Sequence, residues 1–271
     1  MAKTAGITLI VTLLLVLTMM MVARPERWPP PEMPPRQGEA LALESPVGHR
    51  AVHSEEALSR LIREPQNTWS NLAFVVGGAL LIAGSPRRSA QALGVALIGI
   101  GVGSFLYHAS ASRTLRQLDV AGMYWLFIMA VIVSTAVFFP RLKDGIEARV
   151  GIITVFSGVL AILLTAGRNM RVWGVKPFEL STTTAITATV MVLALCLTGW
   201  RRRTLRAAWQ IAVVLMFFGV AVVCQLGDRP GGWLCNPDAT VQAHALWHIF
   251  SAAAFVMATI ILTAEGRDGK V

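Results

Sequence analysis

Apolar and polar positions are distributed along this chain in blocks, with runs of about 20 mostly apolar residues set apart by shorter polar stretches. A helix rises about 1.5 Å per residue, so a run of about 20 residues is the length that crosses the hydrocarbon of a bilayer. Such runs fall near residues 5–23, 66–84, 91–110, 119–139, 149–166, 178–199, 207–226 and 241–264. The first stands apart. Between it and the second lies a polar stretch, residues 24–63, containing Pro25, Pro29, Pro30, Pro31, Pro34, Pro35 and Pro46, which reads as an extended linker because proline breaks helix hydrogen bonding. The pattern predicts an all-α integral membrane protein, a seven-helix transmembrane bundle with one additional N-terminal hydrophobic helix. The expected divisions are an anchor or signal segment at 1–23, the linker at 24–63, the seven-helix domain at 64–265 and a cytoplasmic tail at 266–271. The first run exceeds the apolar core of a typical signal peptide, which favours an uncleaved anchor over cleavage near Ala23.

Composition agrees. Of 271 residues 55% are hydrophobic and only 14% charged, and the mean hydropathy is +0.60, outside the range of soluble globular chains. The net charge of +9 raises the question of nucleic acid, but the Lys and Arg residues sit in short clusters between apolar runs, as topology signals do. No nucleic-acid partner and no obligate protein partner are expected. Alternate loops carry Arg87 and Arg88; Arg141, Lys143 and Arg149; Arg201, Arg202, Arg203 and Arg206; and Arg267 and Lys270. The opposite loops hold only Arg113, Arg116, Arg168, Arg171, Lys176 and Arg229. By the positive-inside bias the seven-helix core has its N-terminus outside and its C-terminus in the cytoplasm, which in a bacterium means the inner membrane. Three cysteines cannot form a disulfide framework, and Cys196 and Cys224, inside apolar runs, read as small buried hydrophobes.

Ionisable groups inside spanning helices cost about 2.5 to 3.5 kcal/mol each on insertion scales, so each one asks for a partner or a role. His108 ends GVGSFLYH on the second core helix, and His244 and His248 open the seventh in HALWH. The i, i+4 spacing puts His244 and His248 one turn apart on one face, and the topology brings His108 and Asp119 to the same outer end. Three neutral imidazoles on one zinc ion leave its fourth position open to water, as in a reactive site. Copper, nickel and iron also accept imidazole. HALWH lacks the glutamate of HExxH, so the acid/base group must come from elsewhere. Asp119, in RQLDVAGMYW, is the candidate, set against a plain role as N-cap and dipole partner of the third helix. Ser104, one turn before His108, is placed to steady a developing oxyanion or the attacking water, unless it bonds back to its own helix. A Ser104, His108, Asp119 nucleophilic triad is weakened because GVGSFLY is not a nucleophile elbow. Gly99, Gly101 and Gly103 read as helix-packing contacts. In EPQNTWSN, Glu64, Asn67 and Asn71 share a helical face, suited to lining the site, to capping or to a hard cation, and Pro65 marks the helix start. His49 and His53, in the linker, read as solvated.

The four stretches EPQNTWSN, GVGSFLYHAS, LDVAGMYW and HALWHIF resemble, in order and spacing, the motifs of the alkaline ceramidase family within the seven-helix transmembrane hydrolases, over about residues 64–264. The resemblance implies a zinc-dependent membrane amidase that hydrolyses the N-acyl bond of ceramide or a ceramide-like membrane lipid to a long-chain base and a fatty acid. It makes His108, His244 and His248 the zinc ligands, Asp119 the acid/base group and Ser104 the polar neighbour of the reacting oxygen. It extends to calcium through Glu64, which matches a helix-borne calcium ligand of the family. Around it the pattern departs: GHRAVHSEEALSRLIR does not reproduce the family's acidic, Trp-containing segment, and Glu55 and Glu56 are only loosely placed. Val120 stands where an acidic residue commonly follows the aspartate, and Cys235 matches a family cysteine that has no N-terminal partner here. A similar pattern of serine, histidine and aspartate occurs in the progestin and adiponectin receptors, so a seven-helix lipid receptor or sensor is the alternative, with a lipid-remodelling esterase as a third reading. The short expected tail weighs against the receptor. A transporter is disfavoured by the lack of paired broken helices or an internal repeat.

Overall fold

The computed structural model describes residue 62 and residues 64–110, 113–167, 180–228, 232–235, 239 and 241–264. The N-terminal run, all of the linker but residue 62, and the tail lie outside the described residues, as do His49, His53, Glu55 and Glu56. Among the described residues the secondary structure is helical, without strands: α1 Pro65–Ser70, α2 Leu72–Gly84, α3 Arg88–Ser110, α4 Arg113–Phe138, a 3-10 turn at Pro140–Leu142, α5 Lys143–Gly167, α6 Leu180–Arg202, α7 Leu205–Gly227 and α8 Ala243–Thr263. Together they provide seven spans long and apolar enough to cross a membrane, α1 and α2 making the first. The protein is a multi-pass membrane protein.

The seven expected spans all appear, with shifted ends. Helix α4 begins at Arg113 and α5 at Lys143, because the polar residues flanking each apolar run are themselves good helix formers and the helix continues past the hydrocarbon. Asp119 therefore sits inside the second turn of α4 and is not its N-cap. The first span is interrupted at Asn71, whose Nδ2 donates to Asn67 O at 2.7 Å, a side-chain bond of the kind that competes with the helix ladder. Pro65 occupies the first helical turn as expected. Cys224 is buried, but Cys196 is exposed on α6. An apolar run in a membrane helix covers lipid-facing and protein-facing sides alike, so the run could not tell them apart.

A common core joins α2, α3, α4 and α8, with Phe74, Leu81, Leu97, Leu126, Met129 and Phe255 among its residues. Small residues allow the backbones to approach. A Cβ added at Gly94 would lie 2.6 Å from Gly78 O, and one at Gly103 would lie 3.0 Å from Leu118 O. The second contact presses α3 against the start of α4 next to Asp119.

One end of the bundle is fastened by charged side chains. Glu147 on α5 caps the start of α3, accepting from Arg88 N at 2.8 Å and from Ser89 N and Oγ. Arg201 donates to Val137 O at 2.8 Å and Arg202 to Ile261 O at 3.0 Å, so two cations meet the negative ends of α4 and α8. The opposite end gathers the start of α1, the end of α3 and the starts of α4 and α8, and it holds the polar residues singled out above.

Candidate metal centre

Three imidazoles meet at that end. His108, His244 and His248 are all buried, and the ligand atoms they offer lie within 4.8 Å of one another. Ring centroids are 5.1 Å apart for His108 and His244, 5.2 Å for His108 and His248, and 4.5 Å for His244 and His248. The i, i+4 pair on α8 thus faces the last turn of α3, as the spacing predicts.

The far side of two rings is held. His108 Nδ1 donates to Glu64 Oε2 at 2.6 Å, and because a carboxylate only accepts, Nε2 is left with its lone pair. Asn67 Nδ2 steadies the same oxygen at 3.0 Å, and Glu64 N donates to His108 O at 3.2 Å, tying α1 to α3. His248 Nδ1 lies 2.8 Å from Ser70 Oγ, whose proton is directed at Asn67 O, 2.9 Å away. The imidazole is then the donor and its Nε2 again carries the lone pair. That Nε2 is buried and has no hydrogen-bond partner among the described residues. An orphaned acceptor in an apolar bundle is costly unless something binds it. Three neighbouring imidazoles, with the Nε2 of His108 and of His248 turned away from the partners on Nδ1, fit a divalent transition metal such as zinc.

Asp119, half-buried, lies beside this cluster. Its carboxylate accepts a hydrogen bond from Ser104 and is in electrostatic contact with His108, Arg116 and Glu64. Ser104, one turn before His108 on α3, is therefore bound across to α4. Trp247 packs against His244 and His248 at 5.0 and 4.9 Å, and Phe74 meets His248 edge-on at 6.0 Å. Aromatic rings thus border the three buried imidazoles, and burial strengthens the electrostatic interactions among them.

A family model described as Ceramidase matches residues 55–266, most of the chain and all of its described helices. The chain belongs to the ceramidase family. No curated protein matches it. Membership implies a hydrolase that acts on an amide bond of a lipid, and the spans place such a ceramidase in the membrane where that lipid resides.

The residues expected to form the site come together: Ser104, His108, Asp119, His244 and His248 occupy one end, with Glu64 and Asn67 directly behind His108. Asn71 does not reach the cluster through its Nδ2, which is spent on α1. Glu64 is the N-cap residue of α1, yet its side chain makes no capping bond and goes to His108. Two further residues beside the histidines of this ceramidase-family chain are not evident from the sequence. Ser70 lies three positions after Asn67 on the same helical face, a signal that could have found it. Asp228, behind His244 with Oδ2 at 3.9 Å from Nδ1, follows an apolar run in GDRP and looks like an ordinary loop acid.

Proposed function

We propose that this ceramidase-family protein is a zinc-dependent amidase that hydrolyses the N-acyl bond of ceramide or a ceramide-like lipid, yielding a long-chain base and a fatty acid. The convergence of His108, His244 and His248, in a chain of this family, is the observation that carries the reading. The three histidines would hold the metal, His108 and His248 through Nε2 because Glu64 and Ser70 keep their Nδ1 protonated. Zinc held there supplies Lewis acidity to the scissile carbonyl and to the attacking water. Asp119, positioned by Ser104, accepts the proton released as water adds to the carbonyl carbon and returns it to the amine nitrogen as the C–N bond breaks. Ser104 is placed to donate toward the developing oxyanion when Asp119 is protonated and no longer claims its hydrogen. The products balance: one amide and one water become one carboxylic acid and one amine.

In this reading residues 64–265 are the catalytic domain, residues 1–23 an anchor joined to it by 24–63, and 266–271 a cytoplasmic tail. The charge asymmetry of the loops supports a site at the outer leaflet, where a lipid presents its amide without leaving the bilayer. The test is to purify the full chain in detergent, count bound metal, and follow fatty acid release from ceramide. Wild type is expected to carry one zinc per chain and to release fatty acid. His244→Ala is expected to lose both, and unchanged metal content and activity in that variant would defeat the assignment.

A further inference from the structure

Asp228 is buried, with 1% of its surface exposed, at the C-cap of α7. Two costs attach to a carboxylate there. It gives up hydration, and it stands at the helix end that already bears partial negative charge, where an anion is repelled. An acid that merely ends a helix turns outward into water. This one is carried inward by the local backbone. Asp228 N closes the last turn on Cys224 O at 3.0 Å, and the chain folds back so that Leu234 N donates to Gly227 O at 3.0 Å. A Cβ at Gly227 would meet the Leu234 side chain at 2.7 Å, so the small residue permits the fold-back. The carboxylate ends beneath it, facing the first turn of α8, with Oδ2 3.9 Å from His244 Nδ1. This separation exceeds a hydrogen bond but lies within strong charge attraction in a dry site.

We propose that Asp228 is a positioning residue of the metal centre. Its carboxylate holds His244 in the tautomer protonated at Nδ1, so that Nε2 faces the ion, and it offsets the positive charge a ligated ring acquires. His108 has Glu64 behind it and His248 has Ser70. Asp228 completes the set from a third direction, on a helix that contributes no ligand. The inference rests on the metal reading above. Partners of this kind, behind a ligating histidine, raise its basicity and fix its orientation.

The test uses the full chain in detergent and reads zinc affinity by competition with a chromogenic chelator, together with the melting temperature with and without zinc. Asp228→Asn is expected to weaken zinc binding about 10- to 100-fold and to shrink the zinc-dependent rise in melting temperature. The metal-free form should melt no lower than wild type, since a buried charge has been removed. Asp228→Glu, which keeps the charge, should hold zinc more tightly than Asp228→Asn. Asp228→Ser repeats the charge removal should the asparagine variant fail to fold. Wild-type affinity in the charge-removing variants, or equal weakening in Asp228→Glu and Asp228→Asn, would overturn the proposal. A wild-type protein that binds no zinc would instead overturn the metal reading itself, so the two failures are told apart.

Discussion

Helices α5 and α8 belong to spans of equal mean hydropathy, 2.0 for each, yet 72% of the α8 window is buried inside the protein and only 17% of the α5 window. In water, burial tracks hydropathy because apolar surface is driven inward, and two equally apolar helices would both be buried. In a bilayer, lipid chains are as apolar as leucine, and packing is decided by residue size and by polar groups that need partners. Helix α8 carries Ala245, Ala252, Ala253, Ala254 and Ala258, all buried, beside His244 and His248. Helix α5 turns Ile152, Phe156, Ile162 and Leu163 outward, each more than half exposed. Polar chemistry divides the same way. The candidate metal centre draws on α1, α3, α4 and α8, while α5 presents its bulk outward and fastens the other end of the bundle through Glu147.

The contrast can be broken at either side. The largest effect is expected for Asp119→Asn, which keeps the shape and the Ser104 contact but cannot shuttle a proton. Fatty acid release should fall about 10²- to 10⁴-fold, with bound zinc unchanged as measured by metal analysis. Loss of zinc in that variant would make Asp119 a ligand and redraw the site. A smaller effect is expected for Glu64→Gln, which still accepts from His108 Nδ1 but lacks the charge. Zinc affinity should drop about 10- to 100-fold, read by chelator competition, and activity should recover when zinc is raised. Activity that stays low at saturating zinc would place Glu64 in the chemistry itself. The smallest is Phe156→Ala on α5, where a side chain 70% exposed should change stability by less than about 0.5 kcal/mol and leave zinc content and turnover as they are. A clear loss of activity there would mean that the lipid-facing side contributes to the site after all.

The site was legible to the extent that it departs from the chemistry of a membrane span. Three histidines and an aspartate in apolar runs announce themselves because so few other ionisable residues lie there, and the alternation of the spans puts them at one end. Ser104 was visible only as a polar residue one turn from His108, and its bond to Asp119 depends on α3 and α4 closing at Gly103. Ser70 and Asp228 were missed for a common reason. A serine near other polar residues, or an acid just past an apolar run, is ordinary by local standards, and its meaning comes from what a distant helix puts opposite it.

The sequence by itself determined the number of spans, their alternation and the end at which the reactive side chains gather, because burial in hydrocarbon requires backbone hydrogen bonds to be made within each helix and so ties structure to local apolar length. Only the tertiary structure decided which apolar faces meet protein and which meet lipid, and which oxygen stands behind each imidazole. Those choices depend on helix rotation and close approach, which van der Waals contact between segments far apart in the chain sets and which no run of residues encodes locally.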